Sequence, residues 1–177
     1  MPLIILDRDG VINRDSDDYI KSPDEWLPIP GSLEAIARLN RAGYTVVVAT
    51  NQSGIGRGYF DLATLQQIHE KMERELARLG GAIDAVFFCP HTPDDHCDCR
   101  KPKPGLLWEI AKKYDCDLAG VMAVGDSLRD IEAAQAVGAK PVLVRTGKGA
   151  AVAKNDKLPA GVEVYADLGA FADAVLE

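Results

Sequence analysis

Residues 3–13 read Leu3-Ile4-Ile5-Leu6-Asp7-Arg8-Asp9-Gly10-Val11-Ile12-Asn13, and this stretch decides the fold class. Its first four residues form a continuous apolar run, which is typical of a parallel strand covered on both faces. Asp7 and Asp9 follow at the carboxyl end of that strand, where open α/β sheets bind their ligands. One carboxylate could attack a substrate while the other moves protons, provided that a divalent cation reduces their mutual repulsion.

Short apolar runs alternate with amphipathic helices along the rest of the chain. This alternation predicts an α/β fold, a Rossmann-like three-layer sandwich with a mainly parallel sheet. We expect Ser32 to cap a helix that ends at Gly43, and Asp61 to open a long helix whose apolar stripe packs on the sheet. The predicted strands are residues 3–6, 45–49, 85–88, 121–124, 141–144 and 162–165. The remaining predicted helices are residues 106–114, 128–137 and 168–175, with an exposed loop at 146–161 that has room for a helical turn.

Length and composition indicate one domain over residues 1–177. Of the 177 residues 47% are hydrophobic, which is enough for one well-buried core. The 20 basic and 27 acidic side chains give a net charge of −7, which disfavours an extended nucleic-acid or anionic-membrane surface. We find neither a charged-then-apolar leader nor an apolar run near the roughly 20 residues that cross a bilayer. We therefore expect a cytoplasmic protein without nucleic-acid or membrane partners.

Polar residues follow the later predicted strands as they follow the first. The second strand leads into Thr50-Asn51-Gln52-Ser53-Gly54, a turn whose backbone N–H groups could hold phosphate oxygens. The third leads through a cysteine-rich loop to Arg100-Lys101-Pro102-Lys103-Pro104-Gly105, and the fourth leads into Gly125-Asp126-Ser127-Leu128-Arg129-Asp130. Four strand ends thus offer a nucleophile, a hydroxyl group, cations and further carboxylates at one edge of the sheet.

The loop after the third strand carries a metal-ligand pattern, Cys89-Pro90-His91-Thr92-Pro93-Asp94-Asp95-His96-Cys97-Asp98-Cys99. Cys-x-His and Cys-x-Cys together supply three thiolates and one imidazole, a set suited to tetrahedral Zn²⁺. His96 is an alternative nitrogen ligand, and a disulfide is an alternative use of the thiols. Four protein ligands leave no position for water, so this Zn²⁺ is expected to shape the loop rather than to react. The predicted zinc ligands are Cys89, His91, Cys97 and Cys99.

The ordered set of motifs resembles that of the haloacid dehalogenase superfamily of phosphohydrolases. The matching segments are Asp-Arg-Asp-Gly at residue 7, Thr-Asn at residue 50, the Lys-Pro-Gly segment at residue 103 and Gly-Asp-Ser-Leu-Arg-Asp at residue 125. The resemblance implies that Asp7 forms an aspartyl phosphate, and that Asp9 protonates the leaving alkoxide and then activates water. It also implies Mg²⁺ bound by Asp7, the backbone carbonyl of Asp9 and Asp126, with Asp130 supporting the site from outside the coordination sphere.

The same resemblance assigns the groups that hold the transferring phosphate. Carboxylates alone would repel a phosphate dianion, so Mg²⁺ and Lys103 are expected to neutralise its charge. Thr50 and the backbone of Asn51 would complete the cradle. We therefore expect Thr50 and Lys103 to act in catalysis beside Asp7 and Asp9.

Within the superfamily, the sequence is similar to the heptose bisphosphate phosphatases and the related histidinol phosphatases. The shared features are the opening at residues 7–13, the two zinc pairs, and residues 19–26 and 50–58. This likeness implies removal of the 7-phosphate of D-glycero-D-manno-heptose 1,7-bisphosphate, a step that supplies activated heptose for lipopolysaccharide. Ser127 departs from it, because the best-known members have a substrate-contacting lysine there, so the preferred anomer stays open. The implied substrate contacts are Asp15, Ser16, Asp17, Asp18, Thr50, Asn51, Gln52, Ser53, Arg100 and Lys101.

Only residues 14–49 separate the first two motifs, which leaves no room for a cap domain over the site. Substrate selection then falls to short loops, where Arg57, Arg100, Lys101 and Lys103 suit a doubly phosphorylated small molecule. We expect a monomer that acts on a sugar bisphosphate, with histidinol-phosphate phosphatase as the nearest alternative. A polynucleotide 3′-phosphatase is disfavoured by the acidic charge and by an aromatic content of 6%. A receiver-like signalling domain would have no use for Asp9.

Overall fold

A six-stranded, entirely parallel sheet forms the centre of the computed structural model, which describes residues 2–177. The strand order is β3-β2-β1-β4-β5-β6, so β1 lies between β2 and β4 and the connections reverse direction there. The strands are β1 (Leu3–Leu6), β2 (Thr45–Asn51), β3 (Ala85–Cys89), β4 (Met122–Gly125), β5 (Lys140–Val144) and β6 (Glu163–Tyr165).

Helices cover both faces of the sheet, which makes three layers. They are α1 (Ser32–Arg41), α2 (Leu62–Ala77), α3 (Gly105–Tyr114), α4 (Leu128–Ala136), α5 (Gly149–Ala153) and α6 (Leu168–Val175). Successive residues of β1 point to opposite faces. Ile4 and Leu6 join the core formed with α1, α2 and α6, whereas Leu3 and Ile5 join the core formed with α3 and α4. The predicted α/β sandwich is confirmed, with every strand within about two residues of its expected position.

One local prediction was wrong. Ser32 does not cap α1: Gly31 stands at the N-cap position, and the Ser32 hydroxyl is buried and donates a hydrogen bond to the Val11 carbonyl at 2.8 Å. This bond ties the start of α1 to the loop after β1. The segment predicted as an exposed loop at 146–161 contains the short helix α5, which agrees with the helical turn allowed for it, and its first residues reach the candidate active site.

The connection between β1 and β2 is short within the described part of the chain. It holds one 3₁₀ helix, Pro23–Glu25, and α1, so no cap domain is inserted there. Among residues 2–177, no helix combines the length and the apolar character needed to cross a membrane.

Candidate active site

The topology of the sheet brings the acidic motifs together. β1 pairs with β4 in parallel, so Asp7 and Asp126, which follow these two strands, lie side by side at the switch point of the sheet. One ligand oxygen each of Asp7, Asp126 and Asp130 lies within 4.8 Å of the other two. These groups line a cavity of about 210 Å³ that opens at the carboxyl ends of the strands.

The electrostatics of this acidic cluster favour a cation. Burial, followed by the charge of Asp130, raises the pKa of Asp7 well above its usual range and the pKa of Asp126 to about 7. Asp130 behaves in the opposite way: burial acts to raise its pKa, but the Lys101 charge and the hydrogen bonds from Lys101, Ser127 and the Asp126 N–H together lower it. A divalent cation would remove the repulsion between the carboxylates.

Hydrogen bonds distinguish the carboxylates that can bind a metal from the one that supports them. Asp130 uses both oxygens, one for Lys101 Nζ at 2.6 Å and the other for the Ser127 hydroxyl at 2.9 Å and the Asp126 N–H at 3.1 Å. Asp7 and Asp126 each keep one carboxylate oxygen that accepts no hydrogen bond from residues 2–177. The donor set therefore fits a hard divalent cation bound by Asp7 and Asp126, with Asp130 outside the coordination sphere.

The lysine beside Asp7 is Lys101, not Lys103 as the sequence motif predicted. Lys101 is buried, and its ammonium group lies 3.2 Å from Asp7 Oδ1 and 2.6 Å from Asp130 Oδ1 while donating to the Ala49 carbonyl at 2.8 Å. The two carboxylates outweigh burial and raise its pKa. Lys103 is exposed, and its ammonium group donates to the Cys97 carbonyl at 3.0 Å, outside the cavity. Two residues further along the chain, the backbone has turned the side chain away from the sheet edge.

Asp9 is held by a separate, internal network. Its Oδ1 accepts hydrogen bonds from Arg8 Nε and Asn13 Nδ2, both at 2.9 Å, and its Oδ2 accepts one from Gln52 Nε2 at 3.1 Å. Burial acts to raise the pKa of Asp9, but Arg8 and the hydrogen bonds outweigh it and lower the value. Arg8 is fully buried and also lies 3.1 Å from His69 Nε2, whose pKa falls to about 3 through burial and the Arg8 charge. The neutral His69 ring thus accepts a hydrogen bond from the Arg8 guanidinium group.

The loop after β5 encloses Asp126, and we call its residues 146–149 the collar. The sequence did not predict this contact. The Lys148 N–H donates to Asp126 Oδ2 at 3.0 Å, and the Thr146 hydroxyl donates to the Gly10 carbonyl at 2.7 Å. A methyl group at Gly147 would come within 2.3 Å of Asp126 Oδ2, and one at Gly10 within 2.0 Å. Both glycines have positive φ. The signal in the sequence was the Thr-Gly-Lys-Gly run directly after a strand.

The turn after β2 joins the cavity to Lys101. Asn51 accepts a hydrogen bond from the Lys101 N–H at 3.0 Å and donates to the Lys101 carbonyl at 3.2 Å, so this side chain fixes the Lys101 backbone. The Thr50 hydroxyl is buried and accepts a hydrogen bond from Gln52 Nε2 at 2.9 Å. Thr50 and Asn51 line the cavity next to Asp7, as expected for a phosphate cradle.

The cysteine-rich loop gathers four metal-binding side chains in one place. Cys97 lies 3.6 Å from both Cys89 and Cys99 between sulfur atoms, and His91 Nδ1 lies 3.4 Å from Cys89 Sγ and 3.3 Å from Cys99 Sγ. Ligands around tetrahedral Zn²⁺ would be about 3.5–3.8 Å apart, which matches the two Cys97 separations, whereas the other separations are shorter and reach 2.8 Å between Cys89 Sγ and Cys99 Sγ. The chemistry of the donor set, three thiols and one imidazole in one cluster, is what fits Zn²⁺. All four cysteines of the described chain are free, and the clustered histidine is His91 rather than His96.

Most of the predicted substrate contacts line the cavity. Asp18 does not, because its side chain is exposed and its backbone carbonyl accepts a hydrogen bond from Lys21 Nζ at 2.8 Å. The sequence reading missed Tyr19, Ile20, Arg129 and Lys148, all of which line the cavity. For Arg129, its position three residues after Asp126 on the first turn of α4 was the available signal. The predicted contacts in the lining are Asp15, Ser16, Asp17, Thr50, Asn51, Gln52, Ser53, Arg57, Arg100 and Lys101.

Comparison with known proteins agrees with this geometry. A family model described as "HAD-hyrolase-like" matches residues 98–171. The protein named D-glycero-beta-D-manno-heptose-1,7-bisphosphate 7-phosphatase of Bordetella bronchiseptica is 60% identical over 100% of this chain and 99% of its own length. The protein of the same name from Pseudomonas aeruginosa is 58% identical over 99% of this chain and 98% of its own length. The chain belongs to the heptose bisphosphate phosphatase family of the haloacid dehalogenase superfamily.

Solved structures of this family match along the whole chain. The D,D-heptose 1,7-bisphosphate phosphatase from B. bronchiseptica, complexed with magnesium and phosphate, has a TM-score of 0.98 at 60% identity and covers 99% of this chain and 98% of its own. The corresponding enzyme from Burkholderia thailandensis has a TM-score of 0.80 at 51% identity and covers 100% of this chain and 99% of its own. The predicted superfamily and subfamily are confirmed.

Proposed function

We propose that this protein is a Mg²⁺-dependent phosphatase that removes the 7-phosphate of D-glycero-β-D-manno-heptose 1,7-bisphosphate. The observation that carries the proposal is the set of Asp7, Asp9, Lys101 and Asp126 around one cavity. Relatives of 58–60% identity that carry the heptose bisphosphate phosphatase name supply the substrate and its β anomer. A histidinol-phosphate phosphatase is the less favoured reading, because none of these relatives carries that name.

Asp7 acts as the nucleophile in this proposal. The Asp7 carboxylate oxygen beside Lys101 attacks phosphorus, since the other oxygen is the one available to the cation, and the bond between phosphorus and O7 of the sugar breaks. Mg²⁺, bound by Asp7 and Asp126 together with the backbone carbonyl of Asp9, supplies the positive charge that lets an anionic nucleophile approach a phosphate dianion. Lys101 adds a second cation at the same place, and its three hydrogen bonds fix its position.

Asp9 carries the proton in both halves of the reaction. The pKa of Asp9 is lowered in the structure, so Asp9 takes up its proton when a phosphate dianion binds and opposes the charge of Arg8. Protonated Asp9 then gives this proton to the O7 alkoxide, a far stronger base than a carboxylate, and the transfer leaves an aspartyl phosphate on Asp7. Asp9 then takes a proton from water, the water oxygen attacks phosphorus, and the bond to Asp7 breaks to release inorganic phosphate. The network of Arg8, Asn13 and Gln52 keeps the Asp9 carboxyl group in one orientation for the two transfers.

The cysteine-rich loop supports this reaction without entering it. Zn²⁺ bound by Cys89, His91, Cys97 and Cys99 would have no open coordination position. Arg100 and Lys101 follow the last ligand directly, and Arg100 Nη1 donates to the His91 carbonyl at 3.4 Å. A folded loop therefore sets the position of both cations.

A phosphate-release screen tests the proposal. The substrates are the β and α anomers of the heptose 1,7-bisphosphate, histidinol phosphate and a 3′-phosphorylated oligonucleotide, each with and without Mg²⁺. We expect multiple turnovers on the β anomer, dependence on Mg²⁺, and rates at least about tenfold lower on the other substrates. Faster phosphate release from histidinol phosphate than from the heptose bisphosphate would show that the protein is a histidinol-phosphate phosphatase.

Oligomeric state, location and domain organisation complete the proposal. We propose a monomeric, single-domain enzyme of the cytoplasm, with no nucleic-acid or membrane partner. A single sheet that includes the first and last strands supports one domain, and free thiols in the zinc cluster suit a reducing compartment. Light scattering at several protein concentrations tests the monomer, since a mass near 38 kDa, about twice the chain mass of 19.1 kDa, would contradict it.

A further inference from the structure

Three arginines face the cavity that contains the acidic cluster. Arg57 comes from the turn after β2, Arg100 from the end of the cysteine-rich loop, and Arg129 from the first turn of α4. Within residues 2–177, no carboxylate oxygen lies within 4.0 Å of a guanidinium nitrogen of these arginines. Three unpaired cations on one small cavity are an arrangement that an anionic ligand would stabilise.

The phosphoryl transfer proposed for Asp7, Asp9 and Lys101 does not use the charges of the three arginines. Lys101 directs its ammonium group at Asp7, Asp130 and the Ala49 carbonyl, which accounts for its three N–H donors. The Lys148 ammonium group lies 3.3 Å from Asp15 and is thus paired. The arginines therefore supply positive charge beyond what the scissile phosphate site employs.

The three guanidinium groups also influence one another. Burial lowers the pKa of Arg100, and the neighbouring charges of Arg129 and then Arg57 lower it further. Two of the three have other contacts: Arg100 donates to the His91 carbonyl, and the Arg57 guanidinium lies 5.9 Å from the centre of the Tyr19 ring. Arg129 is exposed and makes no side-chain hydrogen bond among the described residues.

The backbone of Arg129 is fixed relative to the reacting groups. Ser127 accepts a hydrogen bond from the Asp130 N–H at 3.3 Å, and Asp130 accepts one from the Ser127 N–H at 3.2 Å, which forms a capping box at the start of α4. Arg129 lies inside this box, three residues after Asp126. The backbone position of Arg129 is thus set relative to Asp126, and its side chain adds a guanidinium group to the lining of the cavity that Asp7 also lines.

We propose that Arg129, together with Arg57 and Arg100, binds the phosphate that is not hydrolysed, and that Arg129 sets the preference for a sugar bisphosphate over the sugar monophosphate. This inference rests on the proposed function and assigns a specificity-determining role to a residue outside the predicted site. Ser127 supplies no cation at the start of α4, and Arg129 supplies one from the same turn.

The test compares two substrates of one sugar, heptose 1,7-bisphosphate and heptose 7-phosphate, in the wild-type enzyme and in Arg129→Gln. Losing a charge-assisted hydrogen bond should lower kcat/KM for the bisphosphate about ten- to hundredfold, mainly through KM. The rate on the monophosphate should stay within about twofold, because that substrate has no group for Arg129 to bind. Arg129→Lys should recover part of the preference, since it keeps the charge but not the planar fork.

Arg41→Gln is the matched control, because Arg41 is an exposed arginine at the end of α1 away from the cavity. It should change neither substrate. Equal losses on both substrates in Arg129→Gln would show a merely structural role and overturn the inference, as would unchanged kinetics. If the wild-type enzyme released no phosphate from the bisphosphate, the proposed function itself would fail. A wild-type enzyme that used both substrates equally well would refute only the role of Arg129.

Discussion

The two candidate metal centres of this molecule are built in opposite ways. The cysteine-rich centre takes all four ligands from an eleven-residue loop, residues 89–99. The acidic centre combines Asp7, Lys101, Asp126 and Asp130, which lie far apart in the sequence and meet because three strands end side by side. The first centre is closed by its own ligands, whereas the second keeps free carboxylate oxygens next to a cavity. A closed centre stabilises structure, and an open one can react.

Asp7→Asn should give the largest effect that separates the two centres. An amide is a poor nucleophile and lacks the charge that pairs with Lys101, so we expect turnover to fall at least about 10⁴-fold. Steady-state phosphate release with the heptose bisphosphate measures this loss. Asp24→Asn, at an exposed position in the 3₁₀ helix Pro23–Glu25, serves as control and should keep wild-type activity. Normal phosphate release by Asp7→Asn would rule out the aspartyl phosphate mechanism.

Lys101→Met and Lys103→Met should differ sharply although the residues are neighbours. Lys101 is buried against two carboxylates, so its loss should lower kcat by about 10²- to 10³-fold. Lys103 is exposed and bonds only to the Cys97 carbonyl, so its loss should stay within about twofold. Parallel kcat measurements on the two variants decide between the structural assignment and the one drawn from the motif. A larger loss of kcat in Lys103→Met would support Lys103, the lysine predicted from the motif.

Gly147→Ala should weaken cation binding at the acidic centre by displacing the Asp126 carboxylate. The added methyl group would press on Asp126, so we expect the Mg²⁺ concentration for half-maximal activity to rise about ten- to hundredfold. Gly161→Ala is the matched control, because Gly161 also has a positive φ but no atom lies within 4 Å of the added methyl group. Isothermal titration with Mg²⁺ measures the same difference without turnover. Equal Mg²⁺ affinity in the two variants would argue against the collar around Asp126.

Cys97→Ala should affect stability more than chemistry and gives the smallest effect on turnover. Removing one ligand opens the zinc centre, so we expect one bound Zn²⁺ to be lost and the Tm to fall by roughly 5 °C. Activity should drop only several-fold, mainly through KM, because Arg100 loses its support. Cys116→Ala, at an exposed cysteine outside the cluster, should retain both zinc and Tm. Absence of zinc from the purified wild-type protein by metal analysis would contradict the whole assignment of this loop.

The sequence predicted the centre that lies in one loop better than the centre that combines distant segments. Spacing and composition predicted the four side chains that cluster in the loop, because ligands two residues apart can chelate as a unit whatever the rest of the chain does. Strand β1 and helix α6 were placed at their observed bounds, since an apolar run and a 3.6-residue period are local signals. The choice between Lys101 and Lys103 failed, because both lysines precede a proline and only the path of the backbone shows which one enters the cavity.

The remaining errors are also non-local. The Ser32 hydroxyl donates a hydrogen bond to the Val11 carbonyl, 21 residues away, and does not cap its own helix. Residues 146–149 close around Asp126 because β5 ends beside β4, and the loop itself gives no sign of that neighbour. The sequence does not show that Arg129 lines the cavity. This becomes clear only from the fold, which brings the first turn of α4 to the same cavity as the ends of β1 and β2.

The sequence by itself determined the α/β class, the order of the strands and helices, the aspartates at the end of β1 and the four side chains that cluster in the cysteine-rich loop. Each of these depends on residues within one element or one short loop, where propensity and spacing act directly. Only the tertiary structure decided which lysine neutralises Asp7, which loop positions Asp126 and which arginines share the cavity. Those features depend on distances between strand ends, and the hydrogen-bonded order of the sheet sets those distances.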